Sequence, residues 1–255
     1  MSLAASVALL MAASGCGGGG STNPRVFYTY VFEGAVVDDP NVDSAFAVGR
    51  LIRSDTALVG AILRMEGYTL AVDTLDSTYM AAFESDSLIF GSRNFAIIDS
   101  SEFGDTIAFT VPNNLAISEV IPANRIKGTA DRVRLDWTGS ASTDGYIIAA
   151  VLRDSAYTGS GWARYSTSLS NSDSFNDSAF SKVTLQGLEP VPGIYYLYVY
   201  SYTGAPDSAL SADLLPVPLP SQLGANVDVA DLTGHVGSVV VTAYDSVEVV
   251  LATGG

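Results

Sequence analysis

What most limits how this chain can fold is the period of its apolar residues. After Arg25, short runs of β-branched and aromatic residues alternate with polar ones, and Gly, Asp, Ser or Asn closes nearly every run. No apolar pattern at helical period lasts beyond about two turns. Such a chain can bury its apolar side chains only on the faces of sheets, so the expected fold is all-β. Strands are expected at 25–32, 45–53, 57–66, 68–73, 79–84, 87–90, 94–99 and 106–111. A second set is expected at 114–120, 132–137, 145–153, 163–169, 182–185, 194–202, 237–244 and 246–251. Strands this short and regular, separated by turn residues, predict β-sandwiches.

The 255 residues suffice for one large or two ordinary domains. The acidic excess is shared evenly between the halves and marks no boundary. Pro112, Pro122 and the stretch 124–128 do mark one, because a strand pattern ends there and a new one opens near Arg132. At 48% hydrophobic and 10% aromatic residues, the chain is no disordered acidic tail. Its 27 Asp and Glu against 12 Lys and Arg give a net charge of −15, which repels phosphate and makes nucleic acid a poor partner.

A single His and a single Cys leave too few ligands for a zinc site and too few groups for cysteine–histidine chemistry. His235 lies in Leu232-Thr233-Gly234-His235-Val236-Gly237 and is expected at a loop or strand end. No Gly-x-Ser-x-Gly elbow occurs anywhere. The acidic stretches 38–43 and 171–177 are the runs most like a loop calcium site. Neither has the order of a calcium-binding loop, so solvated turns are expected. No cofactor or metal is indicated, and no catalytic residue is expected.

The first 24 residues carry no charged side chain. Leu3 to Ala13 form an apolar run too short to span a bilayer, which reads as the core of a secretory signal. Ala13-Ser14-Gly15-Cys16 resembles the lipobox of bacterial lipoprotein signal peptides. That resemblance implies a signal peptide over 1–15, lipidation of Cys16 and a Gly-rich tether over 16–24. It also implies an exported protein held by its lipid on the bacterial cell envelope, at the outer membrane. Acyl chains contribute roughly 0.8 kcal/mol per buried methylene, so several on one residue hold a folded domain firmly. A lone Cys leaves no internal disulfide, and the fold must rest on its core.

In the second half, Arg132-Val133-Arg134-Leu135-Asp136-Trp137 and Gly145-Tyr146-Ile147-Ile148 resemble strands B and C of a fibronectin type III domain. Val183-Thr184-Leu185-Gln186-Gly187-Leu188-Glu189-Pro190, leading to Tyr195-Tyr196-Leu197-Tyr198-Val199, resembles strand E, the corner and strand F of the same family. The corner is one residue longer than usual, so its tyrosine is Tyr195 or Tyr196. Parity favours Tyr195, since Tyr195, Leu197, Val199 and Ser201 then share an inward face. In the first half, Ala47-Val48-Gly49-Arg50-Leu51 and Leu58-Val59-Gly60-Ala61-Ile62-Leu63 resemble immunoglobulin-like or transthyretin-like modules of bacterial surface proteins. Together these predict two tandem immunoglobulin-like β-sandwiches, over 25–126 and 127–255.

With Tyr195 inward, Tyr196, Tyr198, Tyr200 and Tyr202 line the opposite face of one strand about 7 Å apart. Four tyrosines in a row make an apolar strip that needs an occupant. A glycan or protein ligand could stack on it. Alternatively the chain covers it, and the segment 203–234, apolar and without strand alternation, is a natural lid. Asp followed by a hydroxyl and a small or aliphatic residue recurs at Ser44, Thr56, Thr74, Ser77, Ser87, Thr106, Ser155, Ser178, Ser208 and Ser246. Turn chemistry before strands accounts for such a pattern. The tripeptide also resembles the O-glycosylation acceptor of exported bacterial proteins. The expectation is a non-catalytic, lipid-anchored envelope protein that presents a binding or spacer surface to glycan or protein. The alternatives are a structural component of an envelope complex and, more remotely, a hydrolase.

Overall fold

The computed structural model describes residues 29–85, 90–99, 103–154, 161–167 and 170–251. The segments 1–15 and 16–24, with Cys16, lie outside the described residues, as do Ser87 and Ser155. From the first half come β1 (Tyr30–Asp39), β2 (Ser44–Arg53), β3 (Thr56–Ala57), β4 (Ile62–Met65) and β5 (Tyr68–Thr69). They are followed by β6 (Ala71–Asp73), β7 (Thr78–Phe83), β8 (Gly91–Asp99) and β9 (Phe103–Val111). Next come β10 (Ile117–Ile121), β11 (Ile126–Lys127), β12 (Arg134–Trp137), β13 (Gly145–Leu152), β14 (Trp162–Tyr165) and β15 (Ser172–Ser174). The chain closes with β16 (Ser181–Thr184), β17 (Gly187–Pro190), β18 (Gly193–Gly204), β19 (Val227–Val229), β20 (Leu232–Val241) and β21 (Asp245–Val249). Among the described residues the only helical pieces are short 3-10 turns, such as Asp177–Phe180 and Ala212–Leu214. The fold is all-β.

One large sheet runs β11-β21-β18-β20-β1-β2-β7-β6, and β13 and β14 extend it from the other side of β18. Two smaller sheets pack on one face of it. The sheet β5-β4-β8-β9 closes a first core around Phe32, Val36, Leu51, Leu63 and Phe95. The sheet β10-β12-β15 closes a second around Val133, Leu135, Trp137, Ile148 and Leu197. This is sandwich packing twice over on a shared sheet. The C-terminal strands serve both cores: Leu232, Val236 and Val240 enter the first, Val247 and Val249 the second.

The shared element is the pair β20 and β21. β20 lies parallel to β1, with Tyr30 opposite Leu232 and Asp38 opposite Val240. On its other side β18 runs antiparallel to β20 from Gly204 opposite Gly237 to Tyr200 opposite Val241, then to β21 from Leu197 opposite Asp245 to Gly193 opposite Val249. Two strands that follow one another along a common partner are collinear. From Leu232 to Val249 they span about 50 Å.

Two strands extend well past their expected bounds. β1 continues to Asp39 because Ala35, Val36 and Val37 are all fully buried, covered on both faces, which erases the alternation that marks a half-buried strand. β20 begins at Leu232 and not near Gly237. Its Gly234 has φ +137°, and a Cβ there would lie 2.0 Å from the Phe32 carbonyl oxygen, so only glycine lets β1 approach. His235 therefore stands inside a strand, opposite Glu33, and not in a loop or at a strand end. The expected strand at 87–90 falls largely outside the described residues.

The second core keeps the residues that resemble fibronectin type III. Trp137 ends β12 and meets Tyr146 edge to face at 5.2 Å between ring centroids. The corner role falls to Tyr195, whose hydroxyl donates to the Val191 carbonyl four residues upstream at 3.0 Å. Its ring is buried against Phe180, as parity requires. Tyr195→Phe removes that bond and leaves the ring. Urea unfolding should show a loss of about 1 kcal/mol. An unchanged midpoint would mean that the corner bond contributes nothing.

Candidate functional site

The tyrosine face begins with the parity of β18. Tyr195, Leu197 and Val199 enter the second core, and Tyr196, Tyr198, Tyr200 and Tyr202 turn to the opposite face of the large sheet. There they join Val37, Ile147, Ala149, Val239 and Val241 in a third apolar layer. A strap from the same chain, residues 205–226, covers that layer. Leu215, Val217 and Leu219 point down into it, while Pro216, Pro218 and Pro220 stand between them, half-buried. The strap does alternate, contrary to expectation. Proline at every second position holds the backbone extended and removes the N–H groups a ladder needs, so the segment packs on the sheet without joining it.

The strap is fastened along its length. The Tyr200 hydroxyl donates to the Val217 carbonyl at 3.1 Å and accepts from the Val217 N–H at 3.0 Å. Tyr165 donates to the Ser221 carbonyl at 2.9 Å. The Ser208 N–H and hydroxyl both donate to the Gln222 side-chain oxygen, at 2.7 and 2.8 Å, tying one limb to the other. Asp207 accepts from the N–H groups of Ala209 and Leu210, which turns the chain as it crosses the sheet. At that crossing Gly237 carries no Cβ. One placed there would lie 2.2 Å from the Thr203 carbonyl and 2.6 Å from Pro206.

Tyr198 and Tyr200 are consequently buried, and Tyr196 and Tyr202 are half-buried. The strip is occupied from within the chain. Burial pushes the Tyr198 and Tyr165 phenols up to about 12 and the Tyr200 phenol well above its ordinary value. At the open end, Tyr244 is 50% exposed and packs on Tyr196 at 4.5 Å and Tyr198 at 6.0 Å.

The other residues singled out by sequence lie apart from this layer or serve local structure. Asp38 and Asp39 are buried at the end of β1, not solvated as expected. Asp38 accepts from Ser85 at 2.6 Å, and Asp39 accepts from the N–H and side chain of Asn41. In the 171–177 stretch, Asp173 pairs with Arg164 at 2.7 Å and Asp177 with Lys127 at 3.2 Å. Among the described residues no three His, Cys, Asp or Glu side chains gather as a metal site. His235 leaves its Nδ1 buried without a hydrogen-bond partner.

Many of the Asp-hydroxyl tripeptides make turns. Asp73 accepts from the Leu75 N–H at 2.8 Å and Asp76 from the Thr78 N–H at 3.0 Å, whereas Asp245 opens β21 and accepts from the adjacent Ser246 N–H at 2.7 Å. Asp43 and Asp55 take positive φ, as Asp tolerates in tight turns. Thr56, Thr74 and Thr106 are exposed, and Ser44, Ser77, Ser178, Ser208 and Ser246 are half-buried.

No pattern in the sequence announces one further feature, an open groove of about 730 Å³ between the strap and the outer face of β6 and β7. Its local signal is Leu75, an aliphatic residue 95% exposed between two Asp turns.

No family model matches the chain, and no curated protein matches it. Among solved structures it is similar to the fibronectin(III)-like modules of Clostridium thermocellum CbhA, at 9% identity and a TM-score of 0.30, over 86% of this chain and 90% of that one. It is similar to the FN1-FN3 domains of chicken CNTN1, at 11% identity and a TM-score of 0.28, over 66% of this chain and 57% of that one. Similarity to the Yersinia pseudotuberculosis adhesin InvE is at 14% identity and a TM-score of 0.21, over 67% of this chain and 55% of that one. The chain thus spans little more than half the length of the chicken and Yersinia structures. The fold class rests on the strands and cores themselves.

The strap gives the buried phenols a measurable signature. A phenol whose value is raised in the folded state leaves stability whole below pH 10, the unfolded value, and withdraws it as pH climbs toward 12. Absorbance of tyrosinate should therefore rise together with loss of β-sheet circular dichroism in that window. Ionisation of all tyrosines near pH 10 with the sheet intact would show the face to be open. Tyr200→Phe strands the Val217 N–H in an apolar layer and should cost about 2 to 3 kcal/mol.

Proposed function

We propose that this chain is an exported, lipid-anchored envelope protein that works without catalysis, as a rigid arm carrying a binding or spacer surface. The observation that carries the proposal is the collinear run of β20 and β21 through both sandwiches. A strand ladder shared by two cores resists bending between them, unlike a flexible linker between separate domains.

The direction of the arm supports the reading. Thr29 meets the β2 end, with the Ser54 N–H donating to its carbonyl, and Tyr30 donates to the Asp231 carbonyl at the β19–β20 turn. A lipid on Cys16, joined through the Gly-rich stretch before β1, leaves the first sandwich near the membrane and the second away from it. Among the described candidates, Thr56, Thr74 and Thr106 are the hydroxyls that a glycosylating enzyme reaches most directly.

A structural or assembly role is the second reading, favoured by the two-stranded ribbon β16–β17 at the far end. Lys182 pairs with Glu189 on one of its faces, and Val183 opposes Leu188 on the other. Val183 is 85% exposed and Leu185 fully so.

Cells labelled with radioactive palmitate test the anchor. Wild-type protein should carry label and Cys16→Ser protein none. Equal labelling of the two would contradict a lipid on Cys16.

A further inference from the structure

The groove beside the strap has an apolar floor and two matched walls. Val48 and Met80 form the floor, and Met80 is 45% exposed. One wall is the β6–β7 turn, where Leu75 projects between Asp73 and Asp76. The other is the strap, where Leu210 and Leu214 flank Asp213. Each wall therefore offers aliphatic surface bordered by carboxylate.

Carboxylates outnumber cations here. Among the described residues Arg50 is the one cation lining the groove; it pairs with Glu33 at 3.4 Å and also acts on Asp76, so one guanidinium stands against the carboxylates of Glu33, Asp73, Asp76 and Asp213. Asp73, Asp76 and Asp213 are exposed. The Thr78 side chain and N–H, which donate to Asp76, hold its carboxyl below the usual range and keep it ionised. A ligand for this groove has to bring positive charge to the rim and apolar groups to the floor. Among the described residues β6 is the last strand of the large sheet, with no strand paired to its outer edge, so a peptide also finds a main-chain edge beside the groove.

We propose that this groove docks an extended basic peptide segment in which aliphatic side chains alternate with lysine or arginine. The aliphatic groups rest on Met80 and between Leu75 and Leu214. The cations face Asp73, Asp76 and Asp213. The proposal stands independently of the lipid anchor, since the groove belongs to the first sandwich and the strap alone.

Binding is tested on the folded chain with a fluorescein-labelled Gly-Lys-Leu-Lys-Leu-Lys-Gly peptide by anisotropy at physiological salt. Two controls replace every Lys by Glu or every Leu by Gly. The expected result is saturable one-to-one binding of the first peptide and loss of binding for both controls. Leu75→Ser and Asp213→Lys should each weaken it about tenfold, the effect of losing one anchor contact. Leu75 and Asp213 are exposed, so neither change should move the thermal midpoint, which circular dichroism checks in parallel. Equal binding of the leucine-free control would reveal unspecific attraction to an acidic protein and overturn the proposal. Binding left intact in both variants, or no binding of the first peptide, would overturn it as well.

Discussion

The structure depends on the parallel pairing of β20 with β1. That ladder joins the end of the chain to its beginning and sets β20 at the centre of the large sheet, with β1 on one side and β18 on the other. Both faces of β20 are then spoken for: Val236 and Val240 fill the first core, while Val239 and Val241 lie under the strap. Parallel strands need cover on both faces, and here a sandwich supplies one and a proline-rich strap the other. Gly234 and Gly237 permit the two close approaches this requires, to β1 alongside and to the strap above.

The same ladder explains why the tyrosine face is closed. Once β18 leaves the large sheet at Gly204, the chain has to return to Leu232 to begin β20. The route crosses the outer face, over Val37, Val239 and Tyr200. Its prolines keep it off the ladder, and the Tyr200 hydroxyl holds it down. Four tyrosines in a row are therefore the bed of a connection, and the open surface of the first sandwich lies beside the strap.

The all-β class was readable from the apolar period, and Tyr195 as the corner residue from strand parity once the resemblance to fibronectin type III had supplied the corner, because both depend on residues near in sequence. The merging of the two halves into one sheet was not. Nothing local in Leu232-Thr233-Gly234-His235 says that it pairs with Tyr30, some two hundred residues earlier, and its glycine reads as a turn. The β1 run past Phe32 was hidden for a related reason: Ala35-Val36-Val37 has no period, since both of its faces are covered. The groove was illegible because its walls come from residues 73–76 and 210–214, which only the crossing of the strap brings together.

One shared sheet makes the two sandwiches a single folding unit. Scanning calorimetry of the folded chain should therefore show one transition in which the van't Hoff and calorimetric enthalpies agree. Two resolved transitions, or a van't Hoff enthalpy near half the calorimetric one, would contradict it.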